Sequence, residues 1–292
     1  MLMSNILIIG AAGLNGIATI NALFAKADLK DTIIAGVRSE EKAQALKNRF
    51  PNLKTRIMDI EQPDTLASSM RGVDKVFFIT GNILEREQHA KLVIDAAKAA
   101  TSVTDFIFYS VFGAEYESIL FGRQFRFGEK YLENSGLKWT HLRTIFFQDN
   151  LLGWADGIKQ GTLYLGTGAG KFAPLVVSDI GEIAANVLTS NTHQNKAYNI
   201  TGPELLSGAD IAHIFSTTLD SEVTHVSPNN ETTLASLIDT GWPQWQAEGL
   251  IELFNLFADN QAAVVSPDGE ALLGRKLTTL KEFITENRTA FI

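Results

Sequence analysis

Asn5-Ile6-Leu7-Ile8-Ile9-Gly10-Ala11-Ala12-Gly13-Leu14-Asn15-Gly16 changes period in the middle. Ile6 to Ile9 is a short unbroken apolar run closed by Gly10, the pattern of a strand buried on both faces of a sheet. From Leu14 the apolar residues Leu14, Ile17, Ile20 and Phe24 recur every three or four positions, which is one face of a helix. Strand, glycine turn and helix thus follow one another directly, and working outward the alternation repeats. Strands are predicted over Thr32 to Val37, Lys54 to Met58, Lys75 to Thr80, Asp105 to Ser110 and Trp139 to Arg143. Helices are predicted over Ser39 to Lys47, Gln62 to Met70, Glu85 to Ala100 and around Glu129 to Asn134. Ser39 is a fitting N-cap, and Pro63 sits near a first turn, where a missing N–H is harmless. Alternating β and α units build a parallel sheet with helices on both faces. The expected class is α/β, a Rossmann-type doubly wound sheet followed by a smaller, mostly helical C-terminal substrate region. Ligands of such sheets sit at the carboxyl ends of the strands.

The second half is less regular. Gly161, Gly166, Gly168 and Gly170 predict turns around a short hairpin. Ser178 or Asp179 is expected to cap a helix through Leu188, and Ala197 to Ile200 is a further strand, free to rejoin the main sheet. With no internal repeat or linker, the expected division is residues 1–150 for the sheet domain and 151–292 for the substrate region, with a soft boundary.

Composition excludes several functions. The chain has no cysteine, which removes thiol catalysis, thiolate metal sites and disulfides. Twenty-five basic residues against 33 acidic ones leave a net charge of −8, so nucleic acid is not expected as a partner. The apolar runs are strand-length, far below the ~18–20 residues of a membrane helix, so no membrane partner is expected. No basic segment precedes an apolar core at the start, so the cytoplasm is the expected location. The five histidines never pair with an acid at ligand spacing, and no metal is expected. Gly166-Thr167-Gly168-Ala169-Gly170-Lys171 is followed by Phe172 and has the wrong spacing for a phosphate loop.

The glycine turn is the chemical signal. A diphosphate at a helix N-terminus needs backbone N–H groups aimed at it and no Cβ in its way. Gly10, Ala12, Gly13, Leu14, Asn15 and Gly16 are the expected cradle, the last glycine allowing close packing of helix on strand. The second strand discriminates between nucleotides. NAD enzymes commonly place an acid ~20 residues beyond the glycines, on the ribose hydroxyls. Here that strand ends Ala35-Gly36-Val37-Arg38, and Arg38, with Lys42 one turn on, suits a 2′-phosphate. NADP(H) is therefore expected over NAD(H). Asp59 ends the third strand, either beside the adenine amino group or as a cap for the next helix; the sequence leaves both open. Thr80, Gly81 and Asn82, after the fourth strand, are expected beside the cofactor.

The glycine turn, Val37-Arg38-Ser39 and Met58-Asp59-Ile60 resemble the short-chain dehydrogenase/reductase superfamily. Glu129 through Arg143, then Phe146, Phe147 and Asn150, resemble its atypical NmrA-like branch. So do Val176 to Gly181, Tyr198-Asn199-Ile200-Thr201-Gly202 and Gly274-Arg275-Lys276 leading to Phe283. The resemblance spans nearly the whole chain. It implies NAD(P)H binding, with Ile60 among the cofactor contacts. The branch includes quinone oxidoreductases, triphenylmethane dye reductases and redox-sensing regulators without turnover. The chain departs from the superfamily's Tyr-x-x-x-Lys pair: no tyrosine has a lysine four residues on. Some relatives place a Lys or His about eleven residues before the glycine equivalent to Gly136, where this chain has Phe125.

Two candidate proton donors are thus missing, and the chemistry narrows. Making an alcohol from a ketone needs a proton delivered to the alkoxide, worth typically 10²–10⁴ in rate. A quinone, cationic dye or iminium needs less, and catalysis reduces to holding donor and acceptor at ~3–3.5 Å in a dry pocket. The pool of candidate pocket walls is Phe78, Phe112, Phe146, Phe147, Asn150 and Trp154, although aromatics at such positions are more often core. Tyr109 and Ser110, at the tip of the fifth strand, either bond nicotinamide or substrate or are structural. The expected activity is NADPH-dependent reduction of a small electron-poor acceptor, quinone-like first. The alternatives are a non-catalytic NADP(H)-binding redox sensor and an iminium or activated-alkene reductase. The sequence says nothing of oligomeric state.

Overall fold

The computed structural model describes residues 3–292. In chain order the first elements are β1 (Asn5–Ile9), α1 (Leu14–Ala25), β2 (Thr32–Val37), α2 (Glu40–Arg49), β3 (Lys54–Ile57) and α3 (Pro63–Ser69). Then come β4 (Lys75–Phe78), α4 (Arg86–Ala99), β5 (Asp105–Val111), α5 (Leu120–Glu133) and β6 (Lys138–Thr144). The later elements are α6 (Ala155–Lys159), β7 (Thr162–Tyr164), β8 (Lys171–Phe172), α7 (Val177–Leu188), β9 (Lys196–Ile200) and β10 (Leu206–Ser207). The chain finishes with α8 (Gly208–Leu219), β11 (Thr224–Val226), α9 (Asn230–Asp239), α10 (Gln244–Ala258), α11 (Asp268–Leu273), α12 (Leu280–Glu286) and α13 (Arg288–Phe291).

The main sheet has seven strands in the order β3-β2-β1-β4-β5-β6-β9, and the pairs from β3 through β6 are parallel. The order reverses between β1 and β4, which opens the crevice where such sheets bind ligands. One face packs Leu7, Ile9, Val76, Phe78, Phe106 and Phe108 against Ala90, Val93, Ile94 and Ala97 of α4 and Phe125 and Leu132 of α5. The alternate residues Ile6, Ile8, Phe77 and Ile107 are as deeply buried and point to the other face. That is why these strands read as continuous apolar runs. α1 and α7 are tied by Lys26 Nζ, which donates to Asn186 Oδ1 at 2.7 Å. α2 starts where Ser39 Oγ accepts from the Lys42 N–H, with Glu40 and Glu41 in its first turn and Lys47 and Arg49 in its last, all matched to the helix dipole.

The chain folds into two compact units that interleave in sequence instead of dividing at 150. The first comprises residues 1–116, 122–144 and 177–199, and the second 117–121, 145–176 and 200–292. The first therefore includes α7 and nearly all of β9, the strand expected to be free to rejoin the sheet. In the second unit Phe146, Trp154, Phe172, Phe254 and Phe257 form an aromatic core, with Phe172 stacked on Phe257 at 4.4 Å. Capping boxes at Ser207/Asp210 and Thr279/Glu282 start α8 and α12.

Three sequence expectations are corrected here. The Gly161–Gly170 stretch is not a hairpin: β7 pairs with β11 in parallel and β8 with β10 antiparallel. α5 begins at Leu120, well before Glu129, because Gly122 and Gly128 weaken its local pattern while packing holds them in the helix. α7 begins at Val177, so Ser178 and Asp179 lie inside its first turn.

Candidate functional site

A cleft of about 450 Å³ lies at the carboxyl ends of β1, β2 and β4. Its floor is the β1–α1 turn, from Gly10 through Asn15. Gly10 has φ +85°, and a Cβ on it would stand 2.5 Å from the Ile79 carbonyl oxygen. Gly16 lies just beneath the cleft, where a Cβ would meet the Gly10 carbonyl oxygen at 2.4 Å. The turn is closed by the Gly13 N–H bonding Gly10 O at 3.0 Å. The first N–H groups of α1 have no partner within the helix, and Leu14 and Asn15 at that end line the cleft. Asn15 Oδ1 is buried without a hydrogen-bond partner. Gly36, Val37 and Arg38 close one side with Lys42 from α2, and Met58 and Ile60 lie behind them. Ile79, Thr80, Gly81 and Asn82 form the opposite wall. Arg38 and Lys42 are exposed at the rim, and among the described residues no acidic one lines the cleft.

The structure thus gathers Gly10, Ala12, Gly13, Leu14, Asn15, Arg38, Lys42, Ile60, Thr80, Gly81 and Asn82 around one cavity. Asp59 is not among the lining residues, although Met58 and Ile60 on either side of it are. Its carboxylate accepts from the Glu61 N–H at 3.1 Å and from Gln62 Nε2, and its N–H bonds Thr65 Oγ1, which orders the entry to α3. These bonds shape the turn before the helix, whose N-cap is Gln62 with no side-chain cap, so neither reading of Asp59 is matched. Met58 and Ile79 line the cleft without having been singled out, because an apolar residue after a strand looks like core.

The sequence leaves Tyr109 and Ser110, at the tip of β5, with a functional and a structural reading. Ser110 is wholly buried and donates to Glu129 Oε1 at 2.7 Å, so its hydroxyl belongs to an ion-pair network and not to a ligand. Glu129, also wholly buried, takes Arg143 Nε and Nη2 at 2.8 Å each and Arg126 Nη1 at 2.9 Å. Burial pushes the Glu129 carboxyl up, but the Arg143 bonds, His141 and Ser110 outweigh it and hold it below the usual carboxylate range. Arg143 also pairs with Glu115 at 2.9 Å. Glu133 and His141 complete a cluster of metal-ligand type, yet the guanidinium groups of Arg126 and Arg143 already occupy its carboxylates. His141 is stacked on Trp139, and burial draws its pKa down to about 4. Tyr109 is 6% exposed, and its hydroxyl accepts from Thr144 Oγ1 at 3.0 Å.

The aromatic pool is dispersed. Phe78 is fully buried between Phe106 and Phe108 and is core, which corrects its reading as a pocket wall. Phe112 is half-buried in the first unit. In the second, Phe146 is buried in the aromatic core, Phe147 and Trp154 are half-buried and Asn150 is exposed.

A doubly wound parallel sheet with a glycine-floored cleft at its switch point defines a dinucleotide-binding α/β protein. Residues 3–284 match the NmrA-like family, and the chain belongs to it. It is 32% identical to the NAD(P)H azoreductase of Xenophilus azovorans, over 98% of this chain and 99% of that protein. Two solved structures superpose closely. One is the NADPH-dependent quinone oxidoreductase of Escherichia coli complexed with NADPH, with a TM-score of 0.89, 27% identity and coverage of 97% and 99% of the two chains. The other is the triphenylmethane reductase of Citrobacter sp. complexed with NADP(H), with a TM-score of 0.87, 26% identity and coverage of 96% and 99%. Among the described residues, no helix is long and apolar enough to cross a membrane.

Proposed function

We propose that the chain is an NADPH-dependent oxidoreductase that reduces a small, flat, electron-poor organic acceptor of quinone type. The observation that carries this is a cleft with a bare glycine floor, two cations at its rim and no acid in its lining. The first N–H groups of α1 are suited to the diphosphate. Arg38 and Lys42 are suited to the 2′-phosphate, and the missing acid removes the usual partner of a free ribose 2′-hydroxyl. Asn15 Oδ1, buried and unpartnered, offers an acceptor to a ligand donor. Bound NADPH would supply the hydride.

The acceptor class follows from what the protein lacks. Ser110 is committed to Glu129, and no Tyr-x-x-x-Lys pair exists to hand over a proton. A quinone that gains a hydride becomes a stabilised phenolate, which takes its proton from water. The names of the relatives, an azoreductase, a quinone oxidoreductase and a triphenylmethane reductase, support a conjugated, electron-poor acceptor for this chain. The test is NADPH absorbance with a panel of benzoquinones, naphthoquinones, azo dyes and triphenylmethane dyes. Turnover with a quinone supports the reading. Tight NADPH binding without turnover of any acceptor would replace it with a redox-sensing regulator.

A further inference from the structure

Arg86 is the first residue of α4, and it is only 4% exposed. Its fork is held by side chains from two directions. Nε donates to Thr80 Oγ1 at 3.1 Å, Nη2 donates to Asn82 Oδ1 at 3.0 Å, and Nη1 donates to Gln124 Oε1 on α5. The guanidinium carbon lies 4.4 Å from the centre of the Phe125 ring. Gln124, itself buried, donates onward from Nε2 to the Leu84 carbonyl at 3.1 Å. α5 therefore grips the β4–α4 loop twice, at residue 84 directly and at residues 80 and 82 through Arg86.

Stability alone does not explain this arrangement. Burying a guanidinium carries a desolvation cost, and a cation at a helix N-terminus opposes the helix dipole. Burial draws the pKa of Arg86 down to about 10, which leaves the group charged at neutral pH. What these costs secure is the placement of Thr80 and Asn82, and both line the cleft. The sheet order then gives the loop its role. Arg38 stands on the β2 side of the glycine turn and the loop on the β4 side. A dinucleotide with its 2′-phosphate on Arg38 and its diphosphate on the turn extends its remaining half toward β4. We infer that Arg86 is a positioning residue for the nicotinamide half of the cofactor, holding the Thr80-Gly81-Asn82 wall in place from behind. The inference rests on the NADPH reading of the cleft.

The test compares two ligands. NADPH and adenosine 2′,5′-bisphosphate, which lacks the nicotinamide half, are titrated into the wild-type chain, Arg86→Met, Arg86→Lys and Gln124→Leu. Arg86→Met is expected to lose about tenfold in NADPH affinity, the scale of charged hydrogen bonds, and to keep the bisphosphate within about twofold. Arg86→Lys recovers part of the loss, since an ammonium cannot reproduce the fork. Gln124→Leu lies outside the cleft and shows the same split at smaller size, so it carries the test if Arg86→Met does not fold. Amide exchange at residues 80–84 quickens in the same variants. Equal losses for both ligands, or an unchanged NADPH affinity, would overturn the assignment of Arg86. A wild-type chain that binds neither ligand would overturn the NADPH reading itself.

Discussion

Arg38 is exposed at the end of β2, and Lys42 follows it in the first turn of α2. Neither side chain has a structural duty that demands a positive charge at that place. Each can reorient onto a phosphate with little change elsewhere. Arg38→Ala is therefore expected to weaken NADPH binding by roughly ten- to a hundredfold, the value of charge-assisted bonds, and to leave NADH within about twofold. A fluorescence titration with both nucleotides measures it. Equal losses would mean that Arg38 does not read the phosphate. Gly16 tests the floor of the cleft. A Cβ there meets backbone, Gly10 O at 2.4 Å and Ala11 Cα at 2.7 Å, and no flexible side chain can move aside. Gly16→Ala is expected to abolish binding of both nucleotides while the chain still folds, as read by titration beside a melting curve. Retained NADH binding in that variant would contradict the cradle.

At the scale of elements, β5, α5 and β6 are joined by the Ser110–Glu129–Arg143 network. Removing one partner of a buried ion pair leaves the other uncompensated, at a cost of about 3–5 kcal/mol. Glu129→Ala should destabilise the chain by that amount in a denaturant titration; a loss below about 1 kcal/mol would show the network to be dispensable. His141 gives the network a pH signature. Its folded pKa, about 4, lies below the ordinary imidazole value of 6.5. Between those values the unfolded chain takes up a proton that the folded chain does not. Stability therefore falls as pH drops from about 6.5 toward 4 and is fully present above 6.5. His141→Phe keeps the ring packing and removes this proton. The slope of stability against pH in that window is expected to fall by up to one proton, and an unchanged slope would contradict the buried neutral imidazole. The elements themselves were legible where period and burial agree, as in β1, β2, β4 and α1. They were misjudged where local signals oppose packing. The glycines of α5 hide its first half, and the partners of β7 and β8 lie far along the chain, beyond the reach of any local pattern.

Across the molecule, the cleft proposed for the cofactor is far more legible in the sequence than the chemistry beside it. Backbone approach to a diphosphate demands glycines at fixed spacing, so Gly10, Gly13 and Gly16 announce themselves in one dimension. Arg86 does not, because an arginine at a helix start looks solvated until the fold buries it. Ser110, whose two readings the sequence leaves open, and Phe78 show a related limit: a strand tip offers side chains to both the crevice and the core, and only the pleat and its partners decide. The second unit contributes an aromatic core whose spacing in sequence resembles a pocket wall. Across the molecule, the absence of a Tyr-x-x-x-Lys pair predicts that quinone reduction loses little rate when solvent supplies the proton. kcat with a benzoquinone should therefore vary by less than about threefold between pH 6 and 8, a span in which a general acid–base of ordinary pKa would impose a steep change. A bell-shaped profile centred in that span would reveal a proton donor within the protein.

A cleft built for a dinucleotide with a 2′-phosphate must tell NADPH from NADH. Calorimetric titration of the wild-type chain with NADPH and with NADH tests it most directly. One site per chain is expected, with NADPH bound at least about tenfold more tightly than NADH. Equal affinities, or no heat with either nucleotide, would contradict it.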